Sequence, residues 1–329
     1  MTGVLNMASA EDDLIARYFR PLATHAGALG LIDDAAVLVA SGEDIVVTTD
    51  AIVEGVHFLP ADPPETLARK ALRVNLSDIA AKGAAPAGFV LTLALRNIDE
   101  AWLAPFAQAL GEDAVAFGCP LLGGDTVSTP GPLMISVTIF GKLPSGTMVR
   151  RDGAKPGDIV AVTGTIGDAA LGLACLKGKK LLDDASGCAA LAERYRTPQP
   201  RNVLAEIIRT HASAAMDISD GLAGDLAKLC AASKVSATVE AFAIPLSDPA
   251  RRVLLSGKAD LETLIAGGDD YEVLCTVPEN HWLPFCEAAR LTGVAVTGIG
   301  RVQKGGAAPA FLDVSGTPIP IKHLSYSHF

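Results

Sequence analysis

Aromatic side chains, clustered basic residues and long apolar runs are all scarce in this chain of 329 residues. Only 5% of the residues are aromatic although 50% are hydrophobic, so the core must be built from Ala, Val, Leu and Ile. Acidic residues number 37 against 27 basic ones, giving a net charge of −10, and no basic run is present to neutralise nucleic-acid phosphates. No apolar run approaches the roughly 20 residues of a membrane span. We therefore expect no nucleic-acid partner and no membrane partner.

Signatures of several common sites are also missing. The six cysteines are scattered singly without C-x-x-C spacing, which argues against a zinc site or a disulfide framework and predicts reduced thiols. No G-x-x-x-x-G-K-[ST] occurs and no G-x-G-x-x-G follows a strand, so any nucleotide must bind by another architecture. The first ten residues lack the basic start of a signal peptide. We expect a cytoplasmic protein.

The chain does contain four short acidic segments that lie far apart. They are Thr48-Thr49-Asp50, Asn75-Leu76-Ser77-Asp78, Gly123-Gly124-Asp125 and Asp217-Ile218-Ser219-Asp220-Gly221. Three of them follow an apolar, strand-like run, and open α/β sheets hold ligands at strand ends. Carboxylates gathered into one cleft would repel each other without cations, and oxygen ligands suit Mg²⁺, which links carboxylates to substrate phosphates. The pattern predicts a magnesium-dependent, phosphate-handling protein.

Length and periodicity predict two mixed α/β domains that meet at one cleft. The boundary is expected in the Pro- and Gly-rich stretch 142–158, which gives domains 1–148 and 149–329. Helices are predicted at 11–23, 65–82, 100–117, 164–176, 188–195, 201–210, 222–232 and 280–291. Strands are predicted at 37–40, 45–49, 89–95, 133–140, 159–163, 214–218, 235–242, 271–277 and 294–299.

Each acidic motif also has a plain structural interpretation. Strand alternation places Asp217 and Ser219 on one side, and Asp220 is expected to act as the N-cap of helix 222–232; a cap alone would explain Asp220 but not the other two. Asp50 ends an apolar strand, where a carboxylate either serves function or caps a turn. His57 is either a hydrogen-bonded structural histidine or a contact to a substrate phosphate.

Three further motifs can likewise be interpreted either as structural features or as functional ones. Asp33-Asp34 is by itself a typical turn former. The turn Gly267-Gly268-Asp269-Asp270-Tyr271 is either an ordinary loop or a substrate contact. Arg151 lies in the expected linker, where its charge is either solvated or available to offset charge on a transferring phosphoryl group.

Taken together and in order, these segments resemble the thiamine-monophosphate kinases, within the superfamily of aminoimidazole ribonucleotide synthetase and selenophosphate synthetase. The matching stretches are 32–35, 48–50, 54–58, 75–80, 123–126, 151–158, 216–222, 267–271 and the terminal His328-Phe329, which cover almost the whole chain. The resemblance implies an ATP-binding synthetase-like fold, with the N-terminal sheet forming a homodimer interface and several Mg²⁺ ions in the cleft. It implies transfer of the ATP γ-phosphoryl group to thiamine monophosphate.

Site residues implied by the resemblance fall into three groups. The metal ligands would be Asp34, Thr48, Thr49, Asp50, Asp78, Asp125, Asp217 and Asp220. The contacts to ATP would be Gly124, Asp125, Arg151 and Ser219, with Arg151 also stabilising transferred charge. The contacts to the thiamine substrate would be His57, Asp269 and Tyr326.

The chain departs from the family pattern at three positions. Asp269 replaces the usual glutamate of Gly-Gly-Glu-Asp-Tyr, Tyr326 stands where relatives often have Trp, and Ala107 stands where some relatives place an aromatic against adenine. The nucleophile would be a phosphate oxygen that is largely ionised at pH 7, so no general base is expected. Catalysis would consist of positioning and charge neutralisation.

The sequence leaves three alternative functions open. The first is another ATP-dependent enzyme of the superfamily, although the chain has no Cys before Cys119 and does not end in Cys, as the selenophosphate synthetase and hydrogenase-maturation branches require. The second is a non-catalytic nucleotide-binding regulator. The third is a magnesium-dependent phosphatase.

Overall fold

The computed structural model describes residues 29–30, 32–33, 36–39 and 42–325. The predicted helix at 11–23 and the predicted site residues Asp34 and Tyr326 lie outside the described residues. Within them, no helix combines the length and the apolarity that crossing a bilayer requires.

The first domain is a five-stranded sheet with two helices on one face. Its strands are β1 (Ala36–Val39), β2 (Glu43–Val53), β3 (Ala85–Leu95), β4 (Leu121–Ser128) and β5 (Met134–Pro144), in the order β1-β2-β5-β3-β4. Its helices are α1 (Pro64–Ala81) and α2 (Glu100–Ala116). Alternation along β5 directs Ile135, Val137 and Ile139 into the core shared with α1. The residues between them face away from the helices and are only partly covered.

The second domain is a six-stranded sheet covered on both faces. Its strands are β6 (Ile159–Thr163), β7 (Ala214–Asp217), β8 (Ser236–Glu240), β9 (Val273–Val277), β10 (Val296–Gln303) and β11 (Ala310–Leu312), in the order β11-β8-β10-β6-β9-β7. Its helices are α3 (Asp168–Leu176), α4 (Ala185–Arg196), α5 (Ala205–His211), α6 (Leu222–Ser233), α7 (Asp248–Leu255), α8 (Leu261–Ile265) and α9 (Glu279–Leu291). Every residue of β6, β7 and β9 is buried, as expected for strands between two layers.

Helix α1 is the element that joins the two domains. Thirteen of its 18 residues are buried, which is far more than a helix with one apolar face would bury. One side packs on β2 and β5 of its own domain, and the other meets β7 and β9 of the second domain. Its polar residues Lys70, Ser77 and Asp78 are consequently enclosed between the two sheets.

The predicted mixed α/β fold is confirmed, and the differences in its elements have physical causes. Strand β4 was missed because its Gly123-Gly124 pair is typical of a turn, and β11 and the short helices α7 and α8 were also missed. Strand β2 continues to Val53, so Asp50 lies inside it and not at its end. Strand β9 begins at Val273 because Tyr271 has a left-handed backbone with φ +50°.

Candidate active site

A cleft of about 390 Å³ lies between the two domains. Its walls include five of the predicted site residues, namely Asp50, His57, Ser219, Asp220 and Asp269. The first two come from the N-terminal domain and the other three from the second domain. Helix α3 completes the wall with Ala169, Ala170 and Leu173. Residues that are more than 150 positions apart are thus brought together in one space.

Four carboxylates at one end of the cleft form what we call the acidic cluster: Asp50 and Asp220 line the cleft, whereas Asp78 and Asp217 are buried beside them. Burial raises the pKa of Asp217 to about 7, with further contributions from the charges of Asp225 and Asp50. Burial and then Asp220 raise the pKa of Asp50 to about 6, although its side chain is open to the cleft. Burial, Asp217 and Asp50 likewise raise the pKa of Asp78. The members of the cluster therefore repel one another across the domain boundary.

Elements of both domains position these carboxylates. The Thr48 hydroxyl donates a 2.7 Å hydrogen bond to Asp78 Oδ2, which ties β2 to α1. Asp217 is the last residue of β7, and Ser77 of α1 hydrogen-bonds it. The order β9-β7 at the edge of the second sheet places Asp217 against α1, because α1 packs on both strands.

The loop after β7 is held by a residue that sequence reasoning did not select. The completely buried Asp225 accepts hydrogen bonds from the backbone N–H groups of Ser219 and Asp220, at 3.1 and 3.0 Å from its Oδ2. The prediction that Asp220 caps the following helix is wrong, because the N-cap is Gly221 with φ +111°. The Asp220 side chain pairs instead with Lys228. Asp220 is therefore free of a capping role and borders the cleft.

The acidic cluster has the chemistry that Mg²⁺ requires. Its donors are carboxylate and hydroxyl oxygens, and the raised pKa values of Asp50, Asp78 and Asp217 report negative charge that a cation would relieve. No three His, Cys, Asp or Glu side chains of the described residues already form a metal site. The four carboxylates thus form an anionic surface that suits Mg²⁺. Substrate phosphates would provide the remaining ligands of the metal.

The other end of the cleft is organised around Lys70, which has only 1% of its surface exposed. Its ammonium lies 3.2 Å from Asp269 Oδ2, donates to the His57 carbonyl oxygen at 3.0 Å, and lies 3.6 Å from the centre of the Tyr195 ring. Tyr195 also donates its hydroxyl to the His57 carbonyl at 2.9 Å. Burial lowers the pKa of Lys70, and Asp269 opposes that effect. One buried lysine thus fixes two predicted substrate contacts.

The turn at 267–271 is shaped to approach the loop after β7. A Cβ on Gly268 would lie 2.4 Å from the Ser219 carbonyl oxygen, so only glycine fits there. The Asp269 N–H donates to the same carbonyl at 2.8 Å, and Asp269 itself has φ +73°. Asp is tolerated at positive φ better than most residues, which accounts physically for an aspartate at this position. The adjacent Asp270 accepts from the Gly167 N–H at 2.7 Å and so fixes the start of α3.

Several predicted residues lie apart from this cleft within the single chain. Gly124 and Asp125 lie on the exposed edge strand β4, where Asp125 Oδ1 accepts from the N–H of Thr126. In register, Asp125 aligns with Ala51 of β2 across three strand spacings, about 14 Å. Ala107 is exposed on α2.

Two more predicted residues occupy intermediate positions. The Thr49 hydroxyl donates to the Val137 carbonyl at 3.1 Å and lies on the opposite sheet face from Thr48. Arg151 is half-buried beside the loop after β7, and its charge acts on Asp225. Its backbone N–H donates to Asp33 Oδ2 at 2.9 Å, so Asp33 is an anchor and not an exposed turn former.

Sequence reasoning also missed the cations around the cluster, of which Lys82 is buried and Lys228 is partly exposed. Lys82 follows Asp78 by four residues, which places both on one helix face, and Lys228 follows Asp225 by three. These spacings were the pattern from which the proximity of the two lysines to the carboxylates could have been predicted. Nothing in the sequence indicated that Lys70 reaches Asp269, because their contact spans 199 positions.

Comparison with models of protein families identifies the class of protein. The model of the AIR synthase related protein N-terminal domain matches residues 32–143, and the model of the C-terminal domain matches residues 155–311. The two ranges cover the two sheets except for the last residue of β5 and of β11.

Individual relatives identify the family within this class of protein. A thiamine-monophosphate kinase of Caulobacter vibrioides is 43% identical over 324 residues, covering 97% of this chain and 90% of that protein. The crystal structure of thiamine-monophosphate kinase from Stenotrophomonas maltophilia K279a has a TM-score of 0.78 at 36% identity and covers 94% of this chain and 98% of its own. The structure of AaThiL complexed with AMPPCP and TMP has a TM-score of 0.80 at 30% identity, with coverage of 92% and 97%. The chain belongs to the thiamine-monophosphate kinase family.

Proposed function

We propose that this protein transfers the γ-phosphoryl group of ATP to thiamine monophosphate, forming thiamine diphosphate and ADP. The observation that carries the proposal is the interdomain cleft, with the acidic cluster at one end and the Lys70–Asp269 pair at the other. Membership in the kinase family supports it, and the related AaThiL has been solved with AMPPCP and TMP. The cleft thus offers one end for phosphates and another for the rest of the acceptor substrate.

Magnesium would be held by the acidic cluster, supported by Thr48 through its hydrogen bond to Asp78. When bound, Mg²⁺ would neutralise phosphate charge and align the reacting groups. The chain's own contribution is to hold Asp50 and Asp78 from one domain against Asp217 and Asp220 from the other. Domain packing around α1 therefore determines the spacing of the metal ligands.

Acceptor binding would use His57 and Asp269. The Nδ1 of His57 accepts the Val53 N–H at 3.0 Å, so the ring donates from Nε2 when neutral. An N–H donor at Nε2 of His57 is suited to hydrogen-bond a substrate phosphate oxygen. Because the nucleophile is already ionised near neutral pH, no side chain needs to remove a proton.

Arg151 would stabilise charge from the side of the second domain. Its position beside Asp225 connects it to the loop that carries Ser219 and Asp220. The contacts of Gly124 and Asp125 with ATP belong to the same proposal. Because these two residues lie on the outer edge strand, a partner subunit or a substrate that extends beyond the cleft would have to meet them there.

A homodimer formed through the N-terminal sheet, with the domain boundary at 148/149, completes the proposal. The sheet face opposite α1 includes the partly or fully exposed residues Thr49, Ala51 and Thr138, and the edge strand exposes Leu121 and Leu122. Such apolar and small polar surface suits burial against a second copy. The six free thiols suit a reducing compartment, so we place the protein in the cytoplasm.

Purified protein incubated with ATP, Mg²⁺ and thiamine monophosphate tests the activity. We expect thiamine diphosphate and ADP in equal amounts, and no product when chelator removes the metal. Parallel reactions with unphosphorylated thiamine control for the need for an acceptor phosphate. Phosphate release without ATP would indicate a phosphatase, and ATP binding without any turnover would indicate a regulator; either result would contradict the proposal.

A further inference from the structure

Tyr271 has a backbone conformation that bulky residues rarely adopt. Its φ is +50°, in the left-handed region, where an aromatic residue is a genuine outlier. Such strain persists only where the surrounding structure enforces it, and strained residues cluster at functional sites. Tyr271 also lines the interdomain cleft, so the strained backbone coincides with the candidate active site.

The residues on either side of Tyr271 hold it in this conformation. Asp270 is buried and accepts a hydrogen bond from a backbone N–H at the start of α3, at 2.7 Å. Glu272 is completely buried and accepts hydrogen bonds from Arg194 at 2.7 Å and from Arg201 at 2.6 Å. Because both neighbours are fixed by buried polar contacts, the backbone between them cannot relax to an ordinary conformation without breaking those contacts.

The backbone of Tyr271 also connects the two domains between the two ends of the cleft. Its N–H donates to the carbonyl oxygen of Ile218, directly after β7, at 2.8 Å. Its carbonyl oxygen accepts the hydroxyl of Ser77 at 3.4 Å. Ser77 lies on α1 next to the acidic cluster, two helical turns after Lys70, whereas Asp269, two residues before Tyr271, pairs with Lys70. Tyr271 therefore stands between the acidic cluster and the Lys70–Asp269 pair.

The wall around Tyr271 is suited to an organic cation. Among the residues that the structure describes, Tyr271 is the only Phe, Tyr or Trp that lines the cleft. It shares the wall with three carboxylates, and the one basic side chain there, Lys177, is exposed at the end of α3. Burial and then the charges of Asp269 and Asp50 raise the pKa of the Tyr271 hydroxyl, so the phenol stays neutral. The face of a neutral aromatic ring attracts cations, most strongly where water is excluded.

We propose that the ring of Tyr271 binds the thiazolium cation of the acceptor through a cation–π interaction and is a specificity-determining residue of the cleft. The thiazolium ring is permanently positive and lies between the phosphate and the pyrimidine of thiamine monophosphate. Tyr271 has the corresponding place between the acidic cluster and the Lys70–Asp269 pair. This inference rests on the proposed function and deepens it by naming the residue that recognises the charged ring.

Binding calorimetry on the full-length chain, with Mg²⁺ and a non-hydrolysable ATP analogue present, tests the inference with two acceptors. One is thiamine monophosphate, and the other is the same monophosphate with a neutral thiophene in place of the thiazolium ring. The unchanged protein should prefer the cationic acceptor. Y271L should lose about tenfold of that preference, because the attraction between ring and cation is removed. Y271F keeps the ring and should keep the preference.

Y271N is the matched control that separates the ring from the backbone. Asparagine adopts the left-handed conformation more readily than leucine, so Y271N removes the ring while relieving the backbone strain. We expect Y271N and Y271L to lose the preference for the cationic acceptor to the same extent. If Y271L does not fold, Y271N provides the test on a backbone that it can adopt.

An unchanged preference in Y271L, or a preference lost in Y271L and retained in Y271N, would show that Tyr271 only shapes the backbone and would overturn the inference. Loss of the preference in Y271F as well would assign the effect to the hydroxyl and overturn it too. If the unchanged protein bound neither acceptor, both the inference and the proposed function would be contradicted. The expected pattern of binding without formation of thiamine diphosphate from ATP would support the inference and contradict only the proposed activity.

Discussion

Helix α1 buries one lysine in its N-terminal half and another at its C-cap, but the two lysines have different electrostatic surroundings. Lys70 contacts one carboxylate, Asp269, together with a carbonyl oxygen and the Tyr195 ring. Asp62 also acts on Lys70 but is itself paired with Arg196. Lys82 is paired with Asp33 and also lies within the electrostatic influence of Asp78 and Asp217. The first end is balanced, whereas at the second end the carboxylates outnumber the cation.

Because of this difference in charge balance, the two ends of the cleft are suited to different ligands. The acidic end needs additional positive charge before its carboxylates can all ionise, so it is suited to Mg²⁺ and phosphates. The balanced end already satisfies its buried charge and is suited to position an organic substrate. Substitutions at the two ends should therefore change different kinetic quantities.

The largest effect is expected from D217N. The substitution keeps the shape of the side chain but removes a proposed magnesium ligand, so turnover should fall on the order of 10³-fold or more. Because it also removes repulsion within the cluster, the metal-free variant should melt no lower than the unchanged protein. Steady-state formation of thiamine diphosphate and a melting curve measure the two effects, and retained turnover would exclude Asp217 as a ligand.

The next effect is expected at the balanced end, from K70M. Loss of the ammonium frees Asp269 and the His57 carbonyl, so the KM for thiamine monophosphate should rise about tenfold while kcat changes less. In a double-mutant cycle with D269N the two effects should be strongly non-additive, because the residues are in contact. Additive effects, or a change confined to the KM for ATP, would contradict the assigned role of Lys70.

The pH dependence of protein stability distinguishes the two ends of the cleft without any substitution. The folded-state pKa values of Asp50, at about 6, and Asp217, at about 7, exceed the unfolded value near 3.8, so the metal-free folded protein binds more protons than the unfolded chain between these limits. Its stability should therefore fall as pH rises from about 4 through 7 and level off about one pH unit above that.

Mg²⁺ should oppose that loss by stabilising the ionised carboxylates. Melting temperatures measured between pH 5 and 8 should show a magnesium-induced increase that grows with pH. An increase that is equal at all pH values would indicate that the metal does not compete with protons at the cluster.

The smallest effect is expected from D269E, which introduces the residue typical of the family. The longer side chain moves the carboxylate relative to Lys70, and glutamate is less favourable than aspartate at φ +73°. We expect less than about a threefold change in KM for thiamine monophosphate and a loss of about 1 kcal/mol in unfolding free energy. D269N, which retains the backbone preference but loses the charge, is the control and should have the larger kinetic effect.

The sequence indicated which carboxylates come together in the acidic cluster better than it indicated the contacts that hold them there. Asp50, Asp78, Asp217 and Asp220 were recognised because short acidic motifs next to apolar runs are a local signal. The strand β4 was missed since its glycines are locally typical of a turn, and only pairing with β3 makes it a strand. Asp220 was predicted to be a cap because an aspartate before a helix is a common N-cap, and the roles of the nearby Asp225 and Lys228 were overlooked.

Buried cations were the hardest features to predict. Lys70 and Lys82 look like ordinary polar positions of a helix, and they become buried because α1 is covered by a second domain that starts about 80 residues later. Their partners Asp269, Ala215 and Asp33 are distant in sequence. Such contacts follow from tertiary packing, which a single sequence does not display.

The most direct test of the two-ended cleft is a pair of binding titrations on D50N and D269N. We predict that D50N loses affinity for Mg²⁺, whereas D269N binds Mg²⁺ like the unchanged protein and, with an ATP analogue present, loses affinity for thiamine monophosphate. If both variants lost magnesium binding to the same extent, or if D50N bound Mg²⁺ normally, the division of the cleft into a metal end and a substrate end would be contradicted.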